Sequence, residues 1–164
     1  MKTTELLSKT DIFDGLSDED LEKIAAGCIE RDYPIGTVII EENEPPKEML
    51  FIVKEGEIMV TTGQPEKTSD ETDSLLSTFG PGEAFGEVSL LDYHPHSATV
   101  RALSDTKLIL LPASNLFAII EGDKNIGYVV MKNLATMVCG RLRSSNFAIK
   151  HFGYWGKPEE FKEQ

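Results

Sequence analysis

Residues 85–97 contain side chains and backbone groups that together could bind a small anion. Gly86 permits a tight turn with close backbone approach, and a short helix is predicted to open directly after it. The N–H groups of Val88 and Ser89 would then lie at a helix N-terminus, which favours negative charge. His96 and Ser97 precede a predicted strand and add a second set of polar groups. The candidate ligand-binding residues are therefore Phe85, Gly86, Glu87, Val88, Ser89, His96 and Ser97.

Other chemistry is poorly supported by the same residues. His94 and His96 flank Pro95, and the first carboxylate after them is Asp105. A transition-metal site needs three or four ligands, so no metal is predicted. No serine or cysteine lies in a nucleophile elbow, so we expect neither enzymatic activity nor a catalytic cofactor.

Short β-type runs must position these residues. Most of them are separated by Gly, Pro or Asn, and residues 63–74 between two of them form a polar loop. Many short strands in one stretch indicate a sandwich or a barrel rather than a parallel sheet. The predicted strands are Val38–Ile40, Met49–Val53, Ile58–Thr62, Leu75–Phe79, Ala98–Ala102 and Lys107–Leu111.

Helical periodicity brackets this β region. Ser17 is predicted to cap a first helix of two to three turns, and Ser114–Ile120 forms a short helix. A longer helix runs from about Asp123 to about Asn146, and its apolar face is wider than one sheet contact needs. We expect a homodimer through residues 126–142, with core packing alone as the alternative. The expected seam comprises Ile126, Val130, Leu134, Met137, Val138 and Arg141.

Composition limits the function further. The chain has 164 residues, of which 28 are acidic and 16 basic, so its net charge of −12 opposes direct nucleic-acid binding. No apolar run is long enough for a signal peptide or a membrane span, and we expect a cytoplasmic protein. One domain, residues 1–146, is predicted, followed by an aromatic-containing tail, residues 147–164, that should dock on this domain or on a partner.

The ordered set of motifs resembles the cyclic nucleotide-binding domain family, the sensor half of regulators of the cAMP receptor protein type. The resemblance covers about residues 11–146 and implies a mainly β fold with flanking helices. That fold is an eight-stranded jelly roll, or double-stranded β-helix, with a long C-terminal helix. The motifs are Ile12-Phe13-Asp14-Gly15-Leu16-Ser17, Pro34-Ile35-Gly36-Thr37-Val38-Ile39, Phe51-Ile52-Val53 with Gly56, Phe79-Gly80-Pro81-Gly82-Glu83-Ala84-Phe85-Gly86-Glu87 and Pro95-His96-Ser97-Ala98-Thr99-Val100.

The resemblance also implies roles for the candidate residues. In the family, a glutamate matching Glu87 accepts a hydrogen bond from the ribose, and the turn from Gly86 with a small residue matching Ser97 binds the cyclic phosphate. In the family, an arginine nine residues after the glutamate binds that phosphate, whereas this sequence has His96 at the corresponding position. Losing a charge-assisted hydrogen bond costs roughly 1.5 to 3 kcal/mol, or about ten- to hundredfold in affinity. Ser145 and Asn146 fall about where the family's lid meets the base.

Two functions remain open at the level of sequence. The first is a non-enzymatic sensor that binds a cyclic nucleotide, cAMP or cGMP, weakly, or a related small anion, and signals through its C-terminal helix to a separate effector protein. The second is a ligand-free interaction or dimerisation module on the same scaffold. Glu87 and Ser97 favour the first, and His96 favours the second.

Overall fold

A computed structural model describes residues 1–62 and 74–152 of the chain. In this structure eight strands form two four-stranded antiparallel sheets, in the orders β1-β8-β3-β6 and β2-β7-β4-β5. Neighbouring strands are mostly non-consecutive, so the chain crosses repeatedly between the sheets, as in a jelly roll. The strands are β1 Ile29–Tyr33, β2 Val38–Ile40, β3 Met49–Glu55, β4 Ile58–Thr62, β5 Ser74–Phe79, β6 Ala84–Phe85, β7 Thr99–Ala102 and β8 Thr106–Pro112.

The predicted fold class is confirmed, and all six predicted strands form. The sequence does not predict β1 or β6, and both omissions have a local cause. Four of the five residues of β1 are exposed, so it lacks an apolar pattern. β6 has only two residues, which pair with Phe51 and Ile52 of β3.

Within residues 1–62 and 74–152, five α-helices flank the sheets, together with a short 3-10 turn at Asp11–Phe13. Helix α2 begins as predicted, because Ser17 and Asp20 form a reciprocal capping box. The helices are α1 Thr3–Leu7, α2 Asp18–Ala25, α3 Glu87–Asp92, α4 Ala113–Gly122 and α5 Lys124–Phe152.

Two hydrophobic clusters hold these layers together. One lies within the sandwich and includes Phe51, Phe85 and Val100. The other joins the helices to the outer side of β3 and β8, and it contains Leu90 of α3 and Leu134 of α5. The short helix that carries Glu87 is therefore packed in the same cluster as the long C-terminal helix.

Three of the six residues of the expected dimer seam are buried within this chain and cannot contact a partner. Ile126, Val130 and Leu134 are at most 1% exposed, because this side of α5 packs into the helical core of its own chain. Among the described side chains of the helix, the large apolar ones that are exposed are Tyr128, Met131, Leu142 and Phe147. Three- and four-residue spacing is present on both sides of the helix, and the first three residues of the expected seam follow the side that is buried.

Helix α5 continues beyond Asn146, the predicted boundary between the domain and the tail, as far as Phe152. Residues 153–164 and most of the predicted polar loop lie outside the described residues. No helix in the described part of the chain combines the length and the apolar character needed to cross a membrane.

Candidate functional site

All seven candidate ligand-binding residues line one pocket, whose volume is about 1080 Å³. The pocket lies against the sheet that contains β4, β5 and β7, and α3 and α5 form further walls. Ser145 of the expected lid belongs to the lining, whereas Asn146 does not. Both lid residues are exposed.

Gly86 fixes the start of α3 and is the N-cap of that helix, with a φ of 85°. A Cβ at this position would lie 2.9 Å from Cδ2 of Phe51 and 3.0 Å from the carbonyl oxygen of Met49. Phe85, the preceding residue, stacks on the same Phe51 ring at a centroid distance of 5.0 Å. Only glycine fits both this φ and this close approach without strain.

Glu87, the first residue of α3, is completely buried at the floor of the pocket. Its Oε1 accepts a hydrogen bond of 2.5 Å from Nη1 of Arg141. Its Oε2 has no hydrogen-bond partner within residues 1–62 and 74–152, although it is buried. A buried carboxylate oxygen without a donor is costly, so this atom is a site at which a ligand donor would be stabilised.

Arg141 is the functional residue that sequence reasoning missed, since it places this side chain in the dimer seam. Besides its ion pair with Glu87, the guanidinium donates from Nη2 to the carbonyl oxygen of Ala84 at 2.6 Å. Its Cζ lies 5.0 Å from the centroid of the Phe79 ring, within the range of a cation–π contact. A cation in the apolar face of a predicted helix was the available signal, because such a charge needs a buried partner.

His96 is buried and makes a complete set of hydrogen bonds. Its Nε2 accepts from the backbone N–H of Lys47 at 3.2 Å. In the neutral ring the proton therefore lies on Nδ1, which donates to Oγ of Ser89 at 3.0 Å. Burial, reinforced by the ammonium of Lys47 and opposed by Glu44, lowers the pKa of His96, which favours this neutral form.

The remaining candidates are less enclosed. The side chains of Val88 and Ser97 are exposed at the pocket. His94 is exposed as well, and its Nδ1 lies 2.8 Å from the carbonyl oxygen of Asp92. The two histidines of the His94-Pro95-His96 run thus have separate partners, and no group of three metal-ligating side chains occurs in the described part of the chain.

Comparison with known proteins identifies a family. The profile described as Cyclic nucleotide-binding domain matches residues 30–123. The Cyclic AMP receptor protein of Thermus thermophilus is 30% identical over 141 residues, which make up 84% of this chain and 60% of that protein. The chain spans about 60% of the length of curated relatives of this type.

Solved structures agree with this result. The Catabolite Activator Protein of Thermus thermophilus has a TM-score of 0.75 at 28% identity, over 88% of this chain and 64% of that chain. The regulatory domain of Toxoplasma gondii PKA, crystallised with cAMP, has a TM-score of 0.62 at 30% identity, over 72% of this chain and 43% of that chain. The likeness therefore extends over most of the jelly roll and includes a protein bound to a cyclic nucleotide.

Proposed function

Because the chain belongs to the cyclic nucleotide-binding domain family, we propose that it is a non-enzymatic regulatory sensor. A cyclic nucleotide, bound more weakly than an arginine-containing site would bind it, or a related small anion occupies the pocket. The observation that carries this proposal is the buried Oε2 of Glu87, which has no hydrogen-bond partner in the described residues, in a residue that lines a pocket large enough for such a ligand. Relatives that include the cAMP-bound PKA regulatory domain support the same ligand class.

The signal is transmitted through α5. Arg141 connects that helix directly to Glu87, and both α3 and α5 contribute to one hydrophobic cluster. A ligand hydroxyl that donates to Glu87 redistributes the charge that Arg141 neutralises and changes the packing of Leu90 against α5. The result is a population shift between two positions of α5, which an effector protein or a second copy can detect.

The two cysteines allow a direct test of this coupling. Cys139 is exposed on α5 two residues before Arg141, whereas Cys28 is partly buried and burial raises its pKa to about 11. A maleimide fluorophore at pH 7.5 should therefore label Cys139 selectively. Titration with cAMP and cGMP, to near-millimolar ligand, should change its emission and release heat in calorimetry.

Matched variants locate the response. Glu87→Gln should weaken both signals roughly tenfold, because a neutral amide is a weaker acceptor for the ligand hydroxyl than the carboxylate and no longer pairs with the charge of Arg141. Glu83→Gln is the control, since Glu83 also lines the pocket but is exposed. Absence of heat and of an emission change at both pH 6 and pH 8 would contradict the proposal for these two nucleotides.

A second candidate function is an interaction module that signals without a ligand. Its support is that the chain itself pairs Glu87 with Arg141 and His96 with Ser89. Helix α5 also presents an apolar stripe with heptad spacing that suits a partner helix. The stripe consists of Tyr128, Met131, Ala135, Val138 and Leu142, all exposed except the half-buried Val138.

The stripe makes the homodimer testable. Light scattering at high micromolar concentration should give the mass of a dimer for the unchanged chain and of a monomer for Met131→Glu. Asn125→Glu adds the same charge at an exposed position of α5 outside the stripe and should remain dimeric. A monomeric mass for the unchanged chain would rule out the homodimer.

A further inference from the structure

We call the part of the pocket around His96, where the family's arginine would bind the phosphate, the phosphate half. His96 offers a ligand no free hydrogen-bond donor there. The backbone N–H of Lys47 donates to Nε2 of the ring, and Oγ of Ser89 accepts a hydrogen bond from Nδ1. The backbone of His96 is also engaged, with its N–H on the carbonyl oxygen of Glu44 and its carbonyl oxygen on the N–H of Asn43. Each polar atom of this residue therefore has a protein partner, and the ring is part of the scaffold.

Other cations do not replace the missing charge. The described lining contains two, Lys9 and Arg141, against four carboxylates, and the latter are Asp11, Asp14, Glu83 and Glu87. Arg141 is held by Glu87 and Ala84, and Lys9 is paired with Glu5 at 3.0 Å. An anion entering the described pocket therefore meets an excess of negative charge, which opposes its binding.

The part of the pocket around Glu87, where a ribose hydroxyl would bind, is the hydroxyl half. It is different, because Oε2 of Glu87 is buried and lacks a donor within the described residues. A vicinal diol supplies two O–H donors to one carboxylate, whereas a 3′,5′-cyclic phosphate leaves the ribose only its 2′-hydroxyl. Apolar side chains form the adjoining walls and offer a surface for a planar base. They include Ile40, Val60, Leu76, Phe79 and Met137.

From these observations we infer that the pocket selects an uncharged ribonucleoside over the corresponding 3′,5′-cyclic nucleotide. The inference rests on the proposed function and names the ligand class of the same pocket. The 2′,3′-diol of the nucleoside donates to Glu87, its base packs on the apolar wall, and no phosphate has to be neutralised. The preference is the opposite of that expected for a site with arginine at position 96.

Calorimetry on the full chain at pH 7.5 tests this with adenosine against cAMP and guanosine against cGMP. At least one nucleoside should bind roughly tenfold or more tightly than its cyclic phosphate, and its 2′-deoxy analogue should lose a similar factor. A cyclic nucleotide that binds as tightly as its nucleoside, or more tightly, overturns the inference and leaves the sensor standing. Failure of both nucleosides and both cyclic nucleotides to bind overturns the inference and the proposed function together.

Two variants test the cause of the preference. His96→Arg should strengthen cAMP binding roughly tenfold relative to adenosine, because it supplies the missing cation. Since it also disrupts the hydrogen bonds of a buried ring, Ser97→Lys adds a cation at an exposed lining position without that disruption. Both variants should shift the ratio of the two affinities toward cAMP. An unchanged ratio in a variant with an unaltered circular dichroism spectrum overturns the account.

Discussion

Glu87 and His96 lie nine residues apart, line the same pocket and are both buried, yet their hydrogen bonds differ. Both ring nitrogens of His96 have protein partners, whereas one carboxylate oxygen of Glu87 has none in the described part of the chain. Helix α3 supplies Glu87 itself and also Ser89, the partner of His96. Within one pocket, a buried polar group with complete partners is part of the scaffold, and the incomplete one is where we propose that a ligand donates.

The largest expected effect is on the free energy of unfolding, and it concerns Gly86, at the start of the helix that carries both Glu87 and Ser89. Gly86→Ala should lower the free energy of unfolding by about 3 kcal/mol, from backbone strain at positive φ and from overlap with Phe51. Gly36→Ala is the control, because Gly36 has a similar φ of 82° and a Cβ added there would meet nothing within 4 Å. It should cost about 1 kcal/mol. Urea unfolding measures both, and equal losses would show that the close approach to Phe51 carries no cost.

The fold could be predicted because its signals are local. Ser17 with Asp20 and the turn residues between the strands act over three or four positions, so the helix start and six strands are readable. β1 and β6 could not be predicted in this way. Their pairing with β8 and β3, and not a pattern in their own residues, determines that they are strands. The surface of α5 also depends on tertiary packing, which buries Ile126 and exposes Tyr128.

The sequence predicted only those parts of the site whose residues lie close together along the chain. Residues 85–89 and 96–97 are close in sequence, and the structure places them on one pocket. Arg141 comes 54 positions after Glu87, so no spacing rule links the two. The partner of His96 Nε2 is the backbone of Lys47, and sequence carries no signal for a backbone donor from a distant loop.

A smaller loss of unfolding free energy is expected when the ion pair between Glu87 and Arg141 is broken. Arg141→Met removes the partner of a completely buried carboxylate and should cost roughly 2 kcal/mol. That is less than a fully buried pair would lose, because 37% of the Arg141 side chain is exposed. Arg143→Met removes an exposed charge from the same helix and should leave the unfolding midpoint nearly unchanged. Addition of Glu87→Gln to Arg141→Met should restore part of the loss, and no restoration would show that Glu87 is not the source of it.

The smallest expected effect concerns His96, and it appears only as a dependence of thermal stability on pH. Since the pKa of His96 is lowered in the folded chain, the unfolded chain takes up the proton first, and the stabilising contribution of the neutral ring is lost as pH falls through about 6.5. The advantage of the unchanged chain over His96→Gln in thermal unfolding should therefore be greater at pH 8 than at pH 5.5. His94→Gln, which removes an exposed ring nearby, is the matched control. If the advantage over His96→Gln instead grew toward pH 5.5, the charged ring would be the stabilised form, and His96 would belong with Glu87 among the groups available to a ligand.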